Sequence, residues 1–181
     1  TFYVMPSVET QPVKSVGDAA DDPEVWINRS EPSQSLIVAT DKKSGLWGYD
    51  LAGQSRQFLA RGRLNNVDIR YGIDLLSSTT DIAMATNHTT HNIDLYTIDS
   101  VSGKVTLLAD DLIDESLGEP YGGCLYHSAS TGKTHVFVNN KEGLYQQWQL
   151  DFKANDASLK PVTVTAKKVR QFSLQGQPEG C

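Results

Sequence analysis

Long apolar runs are missing from this chain of 181 residues. The longest, such as Leu36-Ile37-Val38-Ala39, have the length of a strand and fall far short of a bilayer span. Helical periodicity is nearly absent as well. An excess of positive charge is also lacking. Lys and Arg number 16 against 22 Asp and Glu, a net charge of −6, and no basic face emerges, which argues against a nucleic-acid partner. Cysteine is scarce. Cys124 and Cys181 lie 57 residues apart and form no CxxC pair, so they are two buried thiols or one disulfide. The P-loop signature, the serine nucleophile elbow and the HExxH zinc helix are all missing. The first residue is Thr1, and no basic stretch followed by an apolar one opens the chain. The expectation is therefore a leader already removed, or a piece of a longer protein.

What is present is short β-rich runs bounded by Gly, Asn, Asp and Ser. Hydrophobic residues make up 39% and charged residues 21%, as in a folded globular chain rather than a disordered one. Three stretches share one pattern of strand, polar turn and aromatic strand. They are Ser35–Leu51 around Lys42-Lys43-Ser44-Gly45, Asp81–Ile98 around the turn to His91, and Thr134–Leu150 around Lys141-Glu142-Gly143. A shorter strand precedes each hairpin (Glu24–Ile27, Val67–Tyr71, Gly123–Tyr126), and another follows, for instance Lys104–Leu108 or Lys168–Phe172. Four strands repeating every ~45 to 50 residues are the mark of β-propeller blades, with an all-β sandwich as the alternative. The blade-like units span 18–62, 63–115 and 120–175, and Gln177-Pro-Glu-Gly-Cys181 reads as the start of a further inner strand. The fold expected is all-β, with three to four blades of four antiparallel strands.

An acidic chain that binds an anion needs local cations, whether side chains or a metal. Asp18-Ala-Ala-Asp21-Asp22-Pro23 sets three carboxylates ahead of a strand, suited either to a hard cation or to a solvated turn. Lys42, Lys43 and Lys141 recur at one blade position, where equivalent turns converge on one face. They are either a cationic patch or solvated turn residues. Asp68 and Arg70 stand two apart and share a strand face that could point into a channel, as a functional pair or a structural ion pair. His88 sits in the second hairpin turn, where an exposed side chain is expected. Asn28-Arg-Ser30 and Asn87-His-Thr89 match the glycosylation acceptor pattern. Gly122-Gly-Cys124 and Glu179-Gly-Cys181 occupy equivalent places in neighbouring units, which brings the two cysteines within bonding range if the protein is exported.

From about Glu9 to the C-terminus, the chain resembles the β-propeller phytases. The motifs carrying the resemblance are Gly17-Asp-Ala-Ala-Asp-Asp-Pro23, Thr40-Asp-Lys-Lys-Ser-Gly-Leu46, Leu64-Asn-Asn-Val-Asp-Ile-Arg-Tyr71, Tyr121-Gly-Gly-Cys-Leu-Tyr-His-Ser128, Asn140-Lys-Glu-Gly143 and Gln177-Pro-Glu-Gly180, in this order. The resemblance implies a six-bladed propeller with calcium ions at one end of its channel, acting on phytate (inositol hexakisphosphate). There a calcium-bound water or hydroxide attacks phosphorus, with no phospho-enzyme intermediate. It places Lys42, Tyr121, Lys141 and Glu142 at the catalytic centre, and Lys43, Arg70 and His88 as further substrate contacts. Asp22 and Glu179 become calcium ligands, with Asp21 and Asp68 as additional candidates. Two positions depart from the family pattern: His88 replaces an Arg, and Gln11 stands where an acidic calcium ligand is expected. The implied reading is a secreted, calcium-dependent phosphomonoester hydrolase. The alternative is a non-catalytic incomplete propeller that binds phytate or calcium and assists a complete phytase domain. A second propeller domain or chain is the expected partner, and neither nucleic acid nor membrane is.

Overall fold

A computed structural model of the chain describes residues 2–76, 78–154 and 162–181. Its strands are β1 (Ala20–Trp26), β2 (Leu36–Asp41), β3 (Gly45–Asp50), β4 (Ser55–Ala60), β5 (Leu64–Leu75), β6 (Ser78–Asn87), β7 (Asn92–Ile98), β8 (Val105–Ala109), β9 (Gly123–His127), β10 (Thr134–Asn139), β11 (Leu144–Ala154) and β12 (Val162–Ser173). They form three antiparallel sheets of four strands, each an uninterrupted meander: β1-β2-β3-β4, β5-β6-β7-β8 and β9-β10-β11-β12. Among the described residues the only helical turns are Pro32–Gln34 and Glu115–Leu117. The molecule is all-β and propeller-like.

The hairpin turns form because an Asx residue caps each one. The Asp41 carboxylate accepts from the Lys43 N–H and the Ser44 hydroxyl. The Asn87 carbonyl accepts from the Thr89 and Thr90 N–H groups, and that of Asn140 from Leu144 N–H. The capping explains the two glycosylation-like patterns too. Asn28 and Asn87 are buried, and their side-chain oxygens accept bonds within their own turns, so neither is a glycan acceptor in the folded chain.

The sheets are held together face to face. One core joins the first two sheets through Trp26, Val38, Leu46, Leu64, Ala83, Ala85, Tyr96 and Ile98. A second joins the last two through Ile82, Met84, Ile93, Leu95, Leu125, Val136, Val138, Trp148 and Leu150. Side chains alternate across a strand, so β6 feeds both cores: Ala83 and Ala85 face one way, Ile82 and Met84 the other. That is why Ile82-Ala-Met-Ala85 reads as a continuous apolar run. In β10, only Val136 and Val138 of the alternating pattern enter a core. The inner strand β5 is longer than the Val67–Tyr71 stretch expected, and it continues past a register shift between Arg70 and Ile73 to pair with the start of β6.

Polar ties between sheets supplement the cores. Thr40 Oγ1 accepts from Asp22 N–H at 3.0 Å and donates to the carbonyl of Asn65 in the next sheet. Thr86 repeats this one sheet on, accepting from Asn66 N–H at 3.0 Å and donating to the Tyr121 carbonyl at 2.9 Å. The Gln57 amide clamps both backbone groups of Val105. Arg61, in the link from β4 to β5, makes a bidentate pair with the fully buried Asp94 at 2.7 and 3.1 Å. Asn87 and the Tyr96 hydroxyl donate to the same carboxylate. Burial, with Asp94 beside it, pushes the Tyr96 phenol far above its ordinary range.

Removing one partner of such a pair strands a buried charge. Arg61→Met should therefore cost about 3–5 kcal/mol in urea unfolding. A loss under about 1 kcal/mol would mean that Asn87 and Tyr96 suffice for Asp94.

Candidate functional site

Inner strands begin, and hairpin turns close, at the same end of all three sheets. That end gathers Lys42 from the β2–β3 turn, Asp21 from β1, Tyr121 from just before β9, Lys141 from the β10–β11 turn and Glu179 from the C-terminal segment. Lys42 Nζ lies 3.1 Å from Asp21 Oδ1 and 3.4 Å from Asp18 Oδ1. The Tyr121 hydroxyl donates to Glu179 Oε1 at 3.2 Å, and Lys141 Nζ sits 4.7 Å from the Tyr121 ring centroid.

The electrostatics here are lopsided. Asp21 lifts the Lys42 ammonium above its usual range. Yet the Asp21 carboxyl is itself pushed up, because burial together with Asp22 and Glu179 outweighs the help it receives from Lys42. Its ionised form thus opposes folding. The penalty is fully present above its folded pKa and disappears as pH falls below the unfolded value. Burial also raises the Tyr121 phenol, as do Glu179 and Asp21, against an opposing bond from Gln177. The end is rich in charge of both signs, and Asp21 stands between one cation, Lys42, and the carboxylates of Asp22 and Glu179.

The C-terminal segment is fastened in place. Cys181 is disulfide-bonded to Cys124 of β9, with Cα atoms 6.1 Å apart. The Tyr145 hydroxyl donates to the Gly180 carbonyl, and Leu174 N–H to the Gly143 carbonyl. The crossing is so close that a Cβ on Gly122 would lie 1.7 Å from the Glu179 carbonyl oxygen, and one on Gly143 2.2 Å from that of Leu174. Residues 177–181 run beside β9 without joining a ladder.

The other sequence-derived residues fall into different surroundings. Asp22 Oδ2 accepts from Val67 N–H and the Asn66 amide, tying the first sheet to the second, while Oδ1 has no hydrogen bond among the described residues. Asp68 does not point into an open channel. Inner-strand side chains face neighbouring sheets, and the Asp68 carboxylate is sunk against β9, accepting from Leu125 N–H at 2.7 Å, from its neighbour Ile69 N–H and from Arg70 Nη1. Arg70 is occupied by Asp68 and the Ile69 carbonyl. It stands four residues beyond Asn66, about 13 Å along the strand. Lys43 turns to the N-terminal segment and donates to the Val16 carbonyl. Glu142 is exposed beside Lys141. Gln11 lies at the opposite end, where its backbone N–H donates to the Gly53 carbonyl of the β3–β4 turn and its side-chain oxygen accepts from Ser55 N–H at the start of β4, away from Asp21 and Lys42.

His88 is buried rather than exposed, at 7% accessibility. Its N–H donates to the Arg63 carbonyl, which draws the ring under the turn, where Nδ1 meets Glu119 Oε1 at 3.0 Å. Its ring centroid is 6.3 Å from that of Tyr121. Glu119 and Arg63 escaped the sequence reading. The available signal was a charged residue just ahead of each inner strand, before Leu64 and before Pro120-Tyr121.

A hard cation accepts carboxylate and carbonyl oxygens. Asp22 Oδ1, Asp21 and Glu179 fit it in donor type, and the Asp21 carboxyl is raised chiefly by burial, with Asp22 and Glu179 adding to it. Among the described residues, no three His, Cys, Asp or Glu side chains form a closed cage, so a cation here would also need carbonyl, water or ligand oxygens.

Three face-packed meander sheets, with lysines, a tyrosine and carboxylates at the end where inner strands begin, define a propeller-type protein with a mixed-charge site at that end. The sequence model of the phytase family matches residues 1–181, and the chain belongs to that family. It is 39% identical over 183 aligned residues to the 3-phytase of Bacillus subtilis (strain 168), covering 99% of this chain and 46% of the Bacillus protein. The chain thus spans about half the length of that relative.

The bond between Cys124 and Cys181 closes a loop with a sequence separation of 57. In the chain-entropy account, losing it costs about 4 kcal/mol. The Cys124→Ser/Cys181→Ser variant should lose most of that in denaturant unfolding, whereas an unchanged midpoint would show that Tyr145 and Tyr121 hold the segment alone.

Proposed function

We propose that this chain supplies part of a calcium-dependent phosphomonoester hydrolase acting on phytate, within a propeller of six blades. The observation that carries the reading is the meeting of Lys42, Lys141 and Tyr121 with Asp21, Asp22 and Glu179 at one end of the sheets. The name of the Bacillus relative, 3-phytase, supports the substrate class.

In this reading Lys42 and Lys141 hold phosphate oxygens as point charges, and the Tyr121 hydroxyl, now donating to Glu179, fixes the approach between them. Glu142 balances Lys141 from the neighbouring turn position. Asp21, Asp22 and Glu179 hold calcium, which when bound neutralises the dense phosphate charge and relieves the crowding felt by Asp21. Tyr121 and Glu179 are kept in register by the disulfide, which also supports export to an oxidising compartment.

The outward faces support further blades as partners. Val25, Ile27 and Phe58 on the first sheet, with Tyr126 and Val169 on the third, are large apolar side chains left exposed. A blade on each side would cover them, as the middle sheet is covered.

Calcium at about 100 times its Kd should stabilise the chain by about 2.7 kcal/mol. For a protein of this size that is roughly 5–10 °C in melting temperature. Chelator should remove the gain and Glu179→Gln should diminish it, whereas identical melts in calcium and chelator would refute the metal assignment. In calcium, Lys141→Met should weaken phytate binding about tenfold or more, the worth of one charge-assisted bond. Equal affinities in calorimetry would place the phosphate elsewhere.

A further inference from the structure

One titratable group at the candidate site is left over by everything above. His88 is buried, its Nδ1 is paired with Glu119 at 3.0 Å, and its Nε2 is buried without a hydrogen-bond partner. The charged and titratable groups around it come from every neighbouring element. Glu119 and Tyr121 lie on the segment leading to β9, Arg63 on the link before β5, Lys141 on the β10–β11 turn and His91 on its own turn. Arg63 also lies 4.0 Å from Glu119. Glu119 favours the imidazolium, whereas burial and the cations Arg63 and Lys141, with His91, oppose it. The neutral ring is therefore held in one tautomer, with Nδ1–H donating to Glu119 and the Nε2 lone pair free to take a proton.

An anion seated against Lys141 and Tyr121 changes this balance, because it cancels the positive charge that repels the imidazolium. We propose that His88 and Glu119 form a proton-linked pair at the rim of the anion site. An anion bound there draws one proton from solvent onto His88 Nε2, while Glu119, as positioning residue, retains Nδ1–H and holds the ring in place. No other bond forms or breaks. The inference rests on the anion site proposed above. It differs from a fixed guanidinium in one measurable respect. Affinity here rises as pH falls from about 8 toward about 5, because the bound state carries more protons than the free one.

The probe is myo-inositol hexasulfate, whose sulfates stay ionised over this range, so protons taken up belong to the protein. Titration calorimetry in calcium, in buffers of different ionisation enthalpy, counts them. The expected result is uptake of up to about one proton per anion near pH 6. Nuclear magnetic resonance of the His88 ring should show its titration moving to higher pH when the probe binds. His88→Arg should bind without uptake. Glu119→Gln should lower the His88 titration in the free protein and cut the uptake, and Glu119→Asp should restore both. Binding without uptake, or uptake that survives in His88→Arg, overturns the pair and leaves the anion site standing. A His88 titration indifferent to Glu119→Gln in a variant that melts normally overturns the positioning role. If the hexasulfate does not bind at all, the anion site fails and the pair fails with it.

Discussion

Registry of each sheet on the next governs this molecule, because the candidate site has no element of its own. Lys42, Tyr121, Lys141 and Glu179 arrive from different sheets and from the C-terminal segment, and a slip of one residue between sheets would separate them. A repeated threonine sets that registry at the level of the site. Thr40 and Thr86 each bridge an inner strand to the following one through a single hydroxyl. In the third sheet the matching residue is Asn139, whose side-chain oxygen accepts from Gly122 N–H at 3.2 Å while its Nδ2 is buried with no hydrogen-bond partner among the described residues. There the disulfide and the Tyr145 hydroxyl fasten the next segment instead. A covalent bond thus stands where the donating half of the repeat lapses.

The hairpins and the propeller-like class were legible because their causes are local. Asx-capped turns and alternating apolar residues act over a handful of neighbours. The apolar run Ile82–Ala85 also carries the covering of the middle sheet on both sides, a signal left unread in the sequence. What stayed illegible was set by the neighbouring sheet. Asp68 looked like a channel residue from its spacing to Arg70, yet its carboxylate is consumed by a backbone N–H of β9, 57 residues away in the chain. The Arg61–Asp94 pair, the burial of His88 under Arg63 and its contact with Glu119 likewise need the packing of one meander on another. The place of Gln11, at the far end of the first sheet, likewise depends on where the N-terminal segment packs.

Charge of both signs in a small volume is costly unless each group has a partner. The described residues satisfy part of that demand, with Lys42 on Asp21 and Tyr121 on Glu179, and leave Asp21 pushed up by burial and by its carboxylate neighbours. Such a site is suited to a ligand that brings cation and anion together, as calcium and a polyphosphate do. Folding constrains where these groups stand, and in the proposed reading binding supplies the charges they lack.

The most direct measurement is a residue-by-residue map of backbone amide shifts when phytate is added to the isotopically labelled chain in calcium. The account predicts the largest changes at Lys42, Tyr121, Lys141 and Glu179, with little at the opposite end around Gly53. Shifts centred on the β3–β4 turn, or spread evenly over exposed lysines, would contradict it.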